Sequence, residues 1–272
     1  MTSKIWAHRG SSLKYMENSL AAFDHAEKVG ADGIEIDVQR TKDNELVVVH
    51  DENLKRLTGK DVFVWELTLE ELQSLTLSSD TVSLMEDESF YNRIPTLYDL
   101  LDLYKDNRLT VNIELKNSIY FYKDIEEQVV EAVNHFDIQD RVIYSSFNHE
   151  SMHRLTNLVS SDHIALLTSD IQYQPLHYVQ SIGAGAYHPM INALQIKNIV
   201  DDFHQQGMAV NVWTVDDEPL VYLALLQKVD ALITNDPEKV IAIRQQFVED
   251  GGEKAINTLQ KFGLEIGDNH GE

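Results

Sequence analysis

The feature that most constrains this chain is a repeated alternation of short, β-branched apolar runs with longer segments of helical periodicity. This alternation is typical of parallel strands joined by crossover helices. Eight runs are predicted to be strands: 4–8, 33–38, 110–116, 142–147, 164–168, 184–188, 209–215 and 231–235. Eight such units in 272 residues predict a TIM (β/α)8 barrel, which typically needs about 250 residues. An open doubly wound sheet is the alternative, but no G-x-G-x-x-G or Walker-type loop follows the first strand.

Residues at the predicted helix ends support these crossovers. After the first strand, Leu20, Phe23 and Ala26 form an apolar stripe at helical spacing. Ser19 precedes the stripe as a predicted N-cap, and Gly30 follows it where a C-terminal glycine is expected. The first crossover is therefore predicted to be an amphipathic helix that covers one side of the barrel.

One strand-like run, residues 45–50, does not fit the parallel pattern. Only the turn-like segment 41–44 separates it from the second barrel strand, and this is too short for a parallel crossover. We predict that it returns antiparallel as a hairpin. If the turn is centred between residues 43 and 44, His50 lies directly across from Asp37.

The domain organisation follows from this count. One barrel domain is predicted over residues 1–248, with a small insertion at about 51–93 that contains a short helical piece. The last stretch, 249–272, contains the polar sequences DGGE and GDNHGE and is predicted to be a loosely attached tail.

The net charge of the chain limits the classes of partner that it can bind. Asp and Glu number 45 against 22 Lys and Arg, which gives a formal charge of -23. This charge repels nucleic acid and anionic bilayers, so we expect neither nucleic-acid binding nor stable membrane association. A small anionic substrate would need a local concentration of positive charge. The chain lacks cysteine, an apolar leader and any long apolar span, so we expect a cytoplasmic protein without disulfides or thiolate metal sites.

Carboxylates gather at the ends of neighbouring predicted strands. Glu35 and Asp37 are two residues apart on one strand, so both face the barrel interior while Ile36 faces the helices. Glu114 repeats the pattern on the next barrel strand. A divalent cation best relieves the repulsion between three carboxylates, and oxygen ligands favour Mg²⁺ or Ca²⁺, with Mn²⁺ third. The alternative is a chance E-x-D pair at a polar barrel end.

Two histidines and two cationic residues accompany the carboxylates. His8 ends the first strand and His50 ends the hairpin, an arrangement that suits paired general acid and base catalysis. Arg9 and Lys116 supply the local positive charge that an anionic diester needs. The alternative for these two is a structural ion pair with a neighbouring glutamate. Together the residues favour phosphoryl transfer from a diester.

Several segments, in this order and spacing, resemble the glycerophosphodiester phosphodiesterase family. They are AHRGSS (7–12), ENSLAAF (17–23), GIEIDVQRTKDNELVVVHD (33–51), NIELK (112–116), SSF (145–147), VWTV (212–215) and LITNDP (232–237). The resemblance covers about residues 4–245. ITNDP departs slightly from the family's more usual T-D-x-P.

The resemblance implies a TIM-type barrel with an insertion after strand two, and it implies roles for the same residues. They are metal ligands at Glu35, Asp37 and Glu114, acid and base histidines at His8 and His50, and phosphate contacts from Arg9 and Lys116. It further implies metal-dependent hydrolysis of small diesters such as glycerophosphocholine or glycerophosphoethanolamine to sn-glycerol 3-phosphate and an alcohol. Phe147 and Trp213 are expected to form an apolar wall against the glycerol carbons, with ordinary barrel-end packing as the alternative.

Three competing functions remain open at the level of sequence. A sphingomyelinase D-like or lysophospholipase D activity would require an exposed apolar rim, and the acidic, polar insertion supplies no obvious one. A glycosidase barrel uses strand-end carboxylates but does not need HRG or Lys116 beside them. A non-catalytic phosphate-binding module would lack one or both histidines, whereas His8 and His50 are both present.

Overall fold

The computed structural model describes residues 2–77 and 93–262 and contains a closed parallel barrel. The strands are β1 (Lys4–His8), β2 (Gly33–Arg40), β3 (Leu46–Val48), β4 (Thr110–Leu115), β5 (Val142–Ser146), β6 (Ile164–Thr168), β7 (Ala186–Pro189), β8 (Ala209–Val212) and β9 (Ala231–Thr234). Eight of them, all except β3, pair in parallel, and β1 pairs with both β2 and β9. The barrel is therefore closed, which confirms the predicted fold and excludes the open sheet.

Helices lie in the segments between the strands and after the last strand. They are α1 (Leu20–Lys28), α2 (Lys55–Thr58), α3 (Leu69–Gln73), α4 (Leu97–Tyr104), α5 (Ile125–His135), α6 (His149–Leu155), α7 (Pro175–Ile182), α8 (Ile199–His204), α9 (Glu218–Leu226), α10 (Pro237–Glu249) and α11 (Glu253–Lys261). The predicted cap is confirmed, since the Ser19 side chain accepts a hydrogen bond from the backbone N–H of Ala22. Gly30 follows α1 with φ +86°.

Strand alternation places polar side chains inside the upper barrel. Glu35 and Asp37 on β2 are buried, and Ile36 between them joins the apolar core that the helices share with the outside of the strands. Register pairs Asp37 with Glu114 across β2 and β4, so the three predicted metal ligands meet on two neighbouring strands. The period-two prediction for this strand is confirmed.

The hairpin forms, but the predicted register is wrong by one residue. β3 pairs antiparallel with β2, with Val38 opposite Val48, and the backbone N–H of Val49 donates to the carbonyl of Asp37. Val49, rather than His50, therefore lies across from Asp37. The reason is a loop of three residues rather than two, since Asn44 takes a left-handed conformation at φ +70° before the ladder begins.

The insertion contributes a second, smaller apolar core. Leu54, Leu57, Val64 and Leu72 are buried against Val49 and its neighbours on β3. The short predicted helix is confirmed as α3, and α2 precedes it. Residues 78–92 of the predicted insertion lie outside the described residues. The part that the structure describes is packed onto the hairpin, so it holds the segment that carries His50.

The first part of the predicted tail is not loosely attached. Residues 253–261 form α11, which packs against α9 and α10, and its Ala255 and Leu259 are fully buried. The polar composition of this stretch concealed two apolar residues spaced four apart, which lie on one face of a helix. The rest of the predicted tail, 263–272, lies outside the described residues. Within the part of the chain that the structure describes, no helix has the length and apolar character needed to cross a bilayer.

Candidate active site

A cavity of about 230 Å³ opens at the carboxyl-terminal ends of the barrel strands, and we call it the mouth cavity. Most of the predicted site residues line it, although they come from six separate parts of the chain. Its lining consists of His8, Arg9, Glu35, His50, Asn112, Glu114, Lys116, Phe147, Leu167, Trp213, Thr214 and Ile233. The fold therefore brings the predicted histidines, cations and aromatic residues together in one place.

Glu35, Asp37 and Glu114 form the carboxylate cluster. Each offers one oxygen, and these oxygens lie within 4.8 Å of one another. Glu35 Oε1 and Asp37 Oδ1 are buried without a hydrogen-bond partner among the described residues. Buried carboxylate oxygens rarely stay unpaired, because the lost hydration is costly. The donor set consists of oxygens alone and fits a hard divalent cation.

Burial and mutual repulsion shift the pKa values within the carboxylate cluster. Burial raises the pKa of Glu35 well above its usual value, and the charges of Asp37 and Glu114 raise it further. Burial also raises the pKa of Glu114 despite the charge of Lys116. The pKa of Asp37 is lowered to about 2, because Arg9 and Lys116 outweigh the effect of burial. The three carboxylates are thus accompanied by only two cationic side chains, Arg9 and Lys116. A bound cation would balance the remaining negative charge.

A tight left-handed turn aims Arg9 into the mouth cavity. Arg9 has φ +55° and Gly10 has φ +80°. A Cβ atom at Gly10 would stand 2.6 Å from the backbone carbon of Ala22, so only glycine lets this turn pack onto α1. The Arg9 guanidinium lies 3.2 Å from Asp37 and donates a hydrogen bond of 3.1 Å to Glu17. Arg9 thus belongs to the site and also forms the ion pairs considered as its alternative.

Lys116 approaches the carboxylate cluster from the end of β4. Its Nζ donates a 2.9 Å hydrogen bond to Glu114 Oε1 and lies 3.8 Å from Asp37 Oδ1. Burial lowers the pKa of Lys116, but the charges of Glu114 and Asp37 outweigh burial and raise the pKa above its usual value. Lys116 therefore carries a firm positive charge beside the cavity.

His8 is held by an amide. Its Nδ1 lies 2.8 Å from Asn235 Oδ1, and Ser12 Oγ donates to the same oxygen. The Asn235 amide group is itself fixed, because its Nδ2 donates to the carboxylate of Asp216 at 2.6 Å. The Asn235 oxygen must therefore accept from His8, which places the proton on Nδ1 and leaves Nε2, 3.9 Å from Glu35, as the free nitrogen. Burial, followed by the charge of Arg9, lowers the pKa of His8 to about 4.

His50 is held by a carboxylate. Its Nδ1 donates to Asp51 Oδ1 at 2.7 Å. Arg56, on α2 of the insertion, donates to Asp51 and makes two further hydrogen bonds to Glu17. Although burial raises the pKa of Asp51, hydrogen bonds from His50 and Arg56 lower it below the usual range. The insertion therefore helps to fix the orientation of His50.

The other side of the mouth cavity is apolar. Phe147 and Trp213 contact each other edge to face, with ring centroids 5.6 Å apart. Leu167 and Ile233 lie beside them in the lining. The Trp213 indole N–H is taken by the carbonyl of His188, so the ring presents carbon rather than a hydrogen-bond donor. The cavity thus has one charged side and one apolar side.

Four residues with a place in this geometry had no predicted role, although each lies within a motif noted in the sequence. Asn18 donates from Nδ2 to Asp37 Oδ2 at 2.8 Å, Asp51 and Asn235 hold the two histidines, and Asn112 lines the cavity. For Asp51 the available signal was adjacency to His50, and for the other three it was their position within the segments that carry the family resemblance. Asn235 also stands at the departure from T-D-x-P, so the sequence difference falls on the partner of His8.

A barrel that carries two histidines, two cationic side chains and a carboxylate cluster in one cavity has the composition of a phosphodiester hydrolase site. Comparison with known proteins agrees with this class. The model of the glycerophosphoryl diester phosphodiesterase family matches residues 8–239, and the chain therefore belongs to that family and is a phosphodiesterase.

Individual relatives match over nearly their whole length. A glycerophosphodiester phosphodiesterase of Bacillus altitudinis is 40% identical over 247 residues, which are 90% of this chain and 99% of the relative. One from Caldanaerobacter subterraneus is 38% identical, covering 89% and 97% of the two chains. A phosphodiesterase of Oleispira antarctica, solved with the product sn-glycerol 3-phosphate, superposes with a TM-score of 0.74 at 26% identity over 89% of this chain and 96% of that one.

Proposed function

We propose that the chain hydrolyses small glycerophosphodiesters, such as glycerophosphocholine and glycerophosphoethanolamine, to sn-glycerol 3-phosphate and an alcohol. The observation that carries the proposal is the mouth cavity, which joins two histidines and two cations to a carboxylate cluster with unpaired oxygens. A cavity of about 230 Å³ suits a small diester. The glycosidase alternative does not explain why Arg9 and Lys116 lie within this cluster.

The activity is proposed to depend on one divalent cation, Mg²⁺ or Ca²⁺, with Mn²⁺ as a further candidate. Glu35, Asp37 and Glu114 would hold it, and the unpaired Glu35 and Asp37 oxygens support this assignment. When bound, such a cation supplies positive charge to the phosphoryl oxygens as a Lewis acid. Arg9 and Lys116 add two fixed charges, which bind the diester and stabilise the negative charge that builds up on phosphorus.

The histidines are proposed to move the protons. His8, through Nε2, accepts the proton of the attacking oxygen, which belongs either to the adjacent glycerol hydroxyl or to a water molecule. A new P–O bond forms, the P–O bond to the head-group alcohol breaks, and His50 gives the departing oxygen a proton. If the hydroxyl attacks, the cyclic phosphate is then opened by water with the histidine roles reversed.

The hydrogen bond of His8 supports its role as the base, and both rings are held through Nδ1. Asn235 holds the His8 proton on Nδ1 and leaves Nε2 as an acceptor, as a base requires. His50 donates from Nδ1 to the Asp51 carboxylate, which fixes the orientation of the ring and leaves Nε2 as the nitrogen available for proton transfer. Phe147 and Trp213 are proposed to contact the glycerol carbons.

A coupled assay for sn-glycerol 3-phosphate released from glycerophosphocholine tests the proposal. We expect release by the wild type, its loss on addition of EDTA and its return when Mg²⁺ or Ca²⁺ is restored. Glu35→Ala and His50→Ala should each abolish most of the activity, whereas Glu131→Ala, on the exposed side of α5, should not. Metal-independent release, or full activity in either site variant, contradicts the proposal.

A second candidate substrate is a diester that carries an acyl chain. Exposed apolar side chains occur in the loop after β4 rather than in the insertion considered in the sequence analysis, since Ile119 and Phe121 are 75% and 60% exposed. Trp65 of the insertion stacks on Tyr120 of the same loop at 4.2 Å. An apolar surface of this kind beside the mouth can receive a lipid tail.

Hydrolysis of lysophosphatidylcholine separates the two candidates. If the rim binds the acyl chain, Phe121→Ser should lower activity on lysophosphatidylcholine and leave activity on glycerophosphocholine unchanged. The control is Leu158→Ser, which also removes an exposed apolar side chain. Leu158 follows α6, away from the strand ends that form the mouth cavity. Absence of lysophosphatidylcholine hydrolysis by the wild type removes this candidate.

A further inference from the structure

Asn112 is a buried amide that the proposed mechanism does not use. It lies on β4, two residues before Glu114, so both side chains face the barrel interior. It is 1% exposed and lines the floor of the mouth cavity, next to Glu35 on the neighbouring strand. Among the residues that the structure describes, neither its Nδ2 nor its Oδ1 has a hydrogen-bond partner.

An amide left in this state is costly. An unsatisfied buried polar group costs about 1 to 3 kcal/mol, and most buried side-chain polar atoms have partners. The unpaired oxygens of Glu35 and Asp37 are explained by the cation that their negative charge fits. The Asn112 amide is neutral and presents both a donor and an acceptor, so it calls for a different ligand group.

The chemistry of the diester narrows the choice of ligand group. Phosphoryl oxygens only accept hydrogen bonds, and Arg9 and Lys116 are the residues proposed to bind them. A choline head group offers neither a donor nor an acceptor at its nitrogen. A hydroxyl group both donates and accepts, which matches the two unpaired atoms of Asn112. Leu167 and Ile233 line the same cavity, so carbon atoms that carry such a hydroxyl meet apolar surface.

We propose that Asn112 is a hydroxyl-binding residue that selects the glycerol unit of the substrate. The inference rests on the proposed function and extends it to substrate specificity. A site that hydrogen-bonds a hydroxyl rejects an analogue without it, because the buried amide is then left unpaired. Asn112 therefore discriminates between a glycerol phosphate and the corresponding deoxy compound.

Calorimetric binding of the product and two deoxy analogues tests this role without relying on turnover. The ligands are sn-glycerol 3-phosphate, propane-1,2-diol 1-phosphate, which lacks the terminal hydroxyl, and propane-1,3-diol monophosphate, which lacks the central one. Each is titrated into the full chain in Mg²⁺. The wild type should bind at least one analogue about 10-fold more weakly than the product or worse. In Asn112→Ala the ratio for that analogue should approach one.

Two further variants keep the result interpretable. Asn112→Leu fills the same volume without polar atoms and should also lose the discrimination, even if the alanine variant folds poorly. Asn211→Ala removes another buried amide of the barrel interior, one that donates to His188 and does not line the mouth cavity, and should keep the wild-type ratio.

The outcomes distinguish this inference from the proposed function. If the wild type hydrolyses glycerophosphocholine but both Asn112 variants keep the wild-type ratios for both analogues, the role of Asn112 is wrong and the function stands. If the wild type binds both analogues as tightly as the product, the role of Asn112 is likewise wrong. If the wild type neither hydrolyses the diester nor binds the product, both proposals fall.

Discussion

The two histidines of the mouth cavity differ most in the group that holds each ring. Asn235, a neutral amide, accepts from His8 Nδ1, and Asp51, a carboxylate, accepts from His50 Nδ1. Both partners fix the ring orientation and the tautomer, although one partner is neutral and the other is charged. Each ring is therefore held through Nδ1, and its Nε2 remains available for the proton transfer proposed above.

Replacement of Asp51 by asparagine should lower kcat by about 10- to 1,000-fold, because a neutral amide holds the Nδ1–H of His50 more weakly than the carboxylate does. KM should change little, since Asp51 does not line the mouth cavity. Steady-state kinetics with glycerophosphocholine measures both constants. Asp61→Asn, a matched change at an exposed carboxylate of the insertion, is the control. A wild-type kcat in the Asp51 variant would contradict a positioning role.

Replacement of Asn235 by leucine should release the His8 ring. We expect kcat to fall by about 10-fold or more with a smaller effect on KM. Nitrogen-15 NMR of the His8 ring should show the Nδ1-protonated tautomer in the wild type and a mixture of tautomers in Asn235→Leu. Asn235→Asp, which keeps an accepting oxygen, should restore the wild-type tautomer. A single unchanged tautomer in the leucine variant would show that Asn235 does not set it.

At the scale of elements, one loop residue of the β2–β3 hairpin sets the strand register and with it the position of His50. The three-residue loop pairs Val49 with Asp37, so the backbone of β3 lies beside the carboxylate cluster and His50 follows the end of the strand. The ring of His50 is then oriented by Asp51 and, through Arg56, by the insertion. Strand alternation alone would not have placed it.

The packing of α11 gives a prediction about stability. Leu259→Ala should lower the free energy of unfolding by about 2 to 4 kcal/mol, because the side chain is fully buried between helices. Ile256→Ala, on the same helix but 42% exposed, should cost much less. Urea unfolding followed by circular dichroism measures both. A negligible loss in Leu259→Ala would mean that the packing of α11 contributes little to the fold.

At the scale of the whole molecule, the net charge is -23, whereas the active site must attract an anionic phosphate and therefore requires local positive charge. Arg9 and Lys116 form ion pairs with the carboxylate cluster, and the oxygens of that cluster could also hold a divalent cation. A zwitterionic or singly charged diester meets less repulsion from the surface than a polyanion does. The global charge therefore favours small substrates, while Arg9 and Lys116 are the local cations proposed to bind the phosphate.

Acid should destabilise the protein through His188, which is fully buried on β7. Burial lowers the pKa of His188 from 6.5 to about 3, so below pH 6.5 the unfolded chain takes up a proton that the folded chain excludes. Stability from this group is full above pH 6.5 and falls as the pH drops, by about 1.4 kcal/mol per pH unit.

Unfolding in urea at about pH 7 and about pH 5 measures this effect. His188→Gln should lose about 2 kcal/mol less than the wild type between the two conditions. The comparison cancels the contributions of other groups, including His8, because they are common to both proteins. An equal loss in the two proteins would show that His188 does not control acid stability.

The sequence by itself determined the barrel and the composition of the site. Parallel strands and crossover helices have distinct periods, and strand ends converge in a barrel, so His8, Glu35 and Lys116 could be expected at one mouth. Local chemistry also determined the cap at Ser19 and the alternation along β2 of side chains that face the barrel interior and side chains that face the helices. These features depend on residues that are near in sequence or on geometry common to every barrel.

Only the tertiary structure decided how the site residues are held. The register of the hairpin depends on one left-handed residue, Asn44, and the packing of α11 depends on a surface made by distant helices. The pairing of His8 with Asn235 joins positions 227 residues apart, and the unpaired amide of Asn112 is defined by what surrounds it. Hydrogen bonds and burial act over a few ångströms in space, whatever the distance along the chain, so they appear only once the barrel has closed.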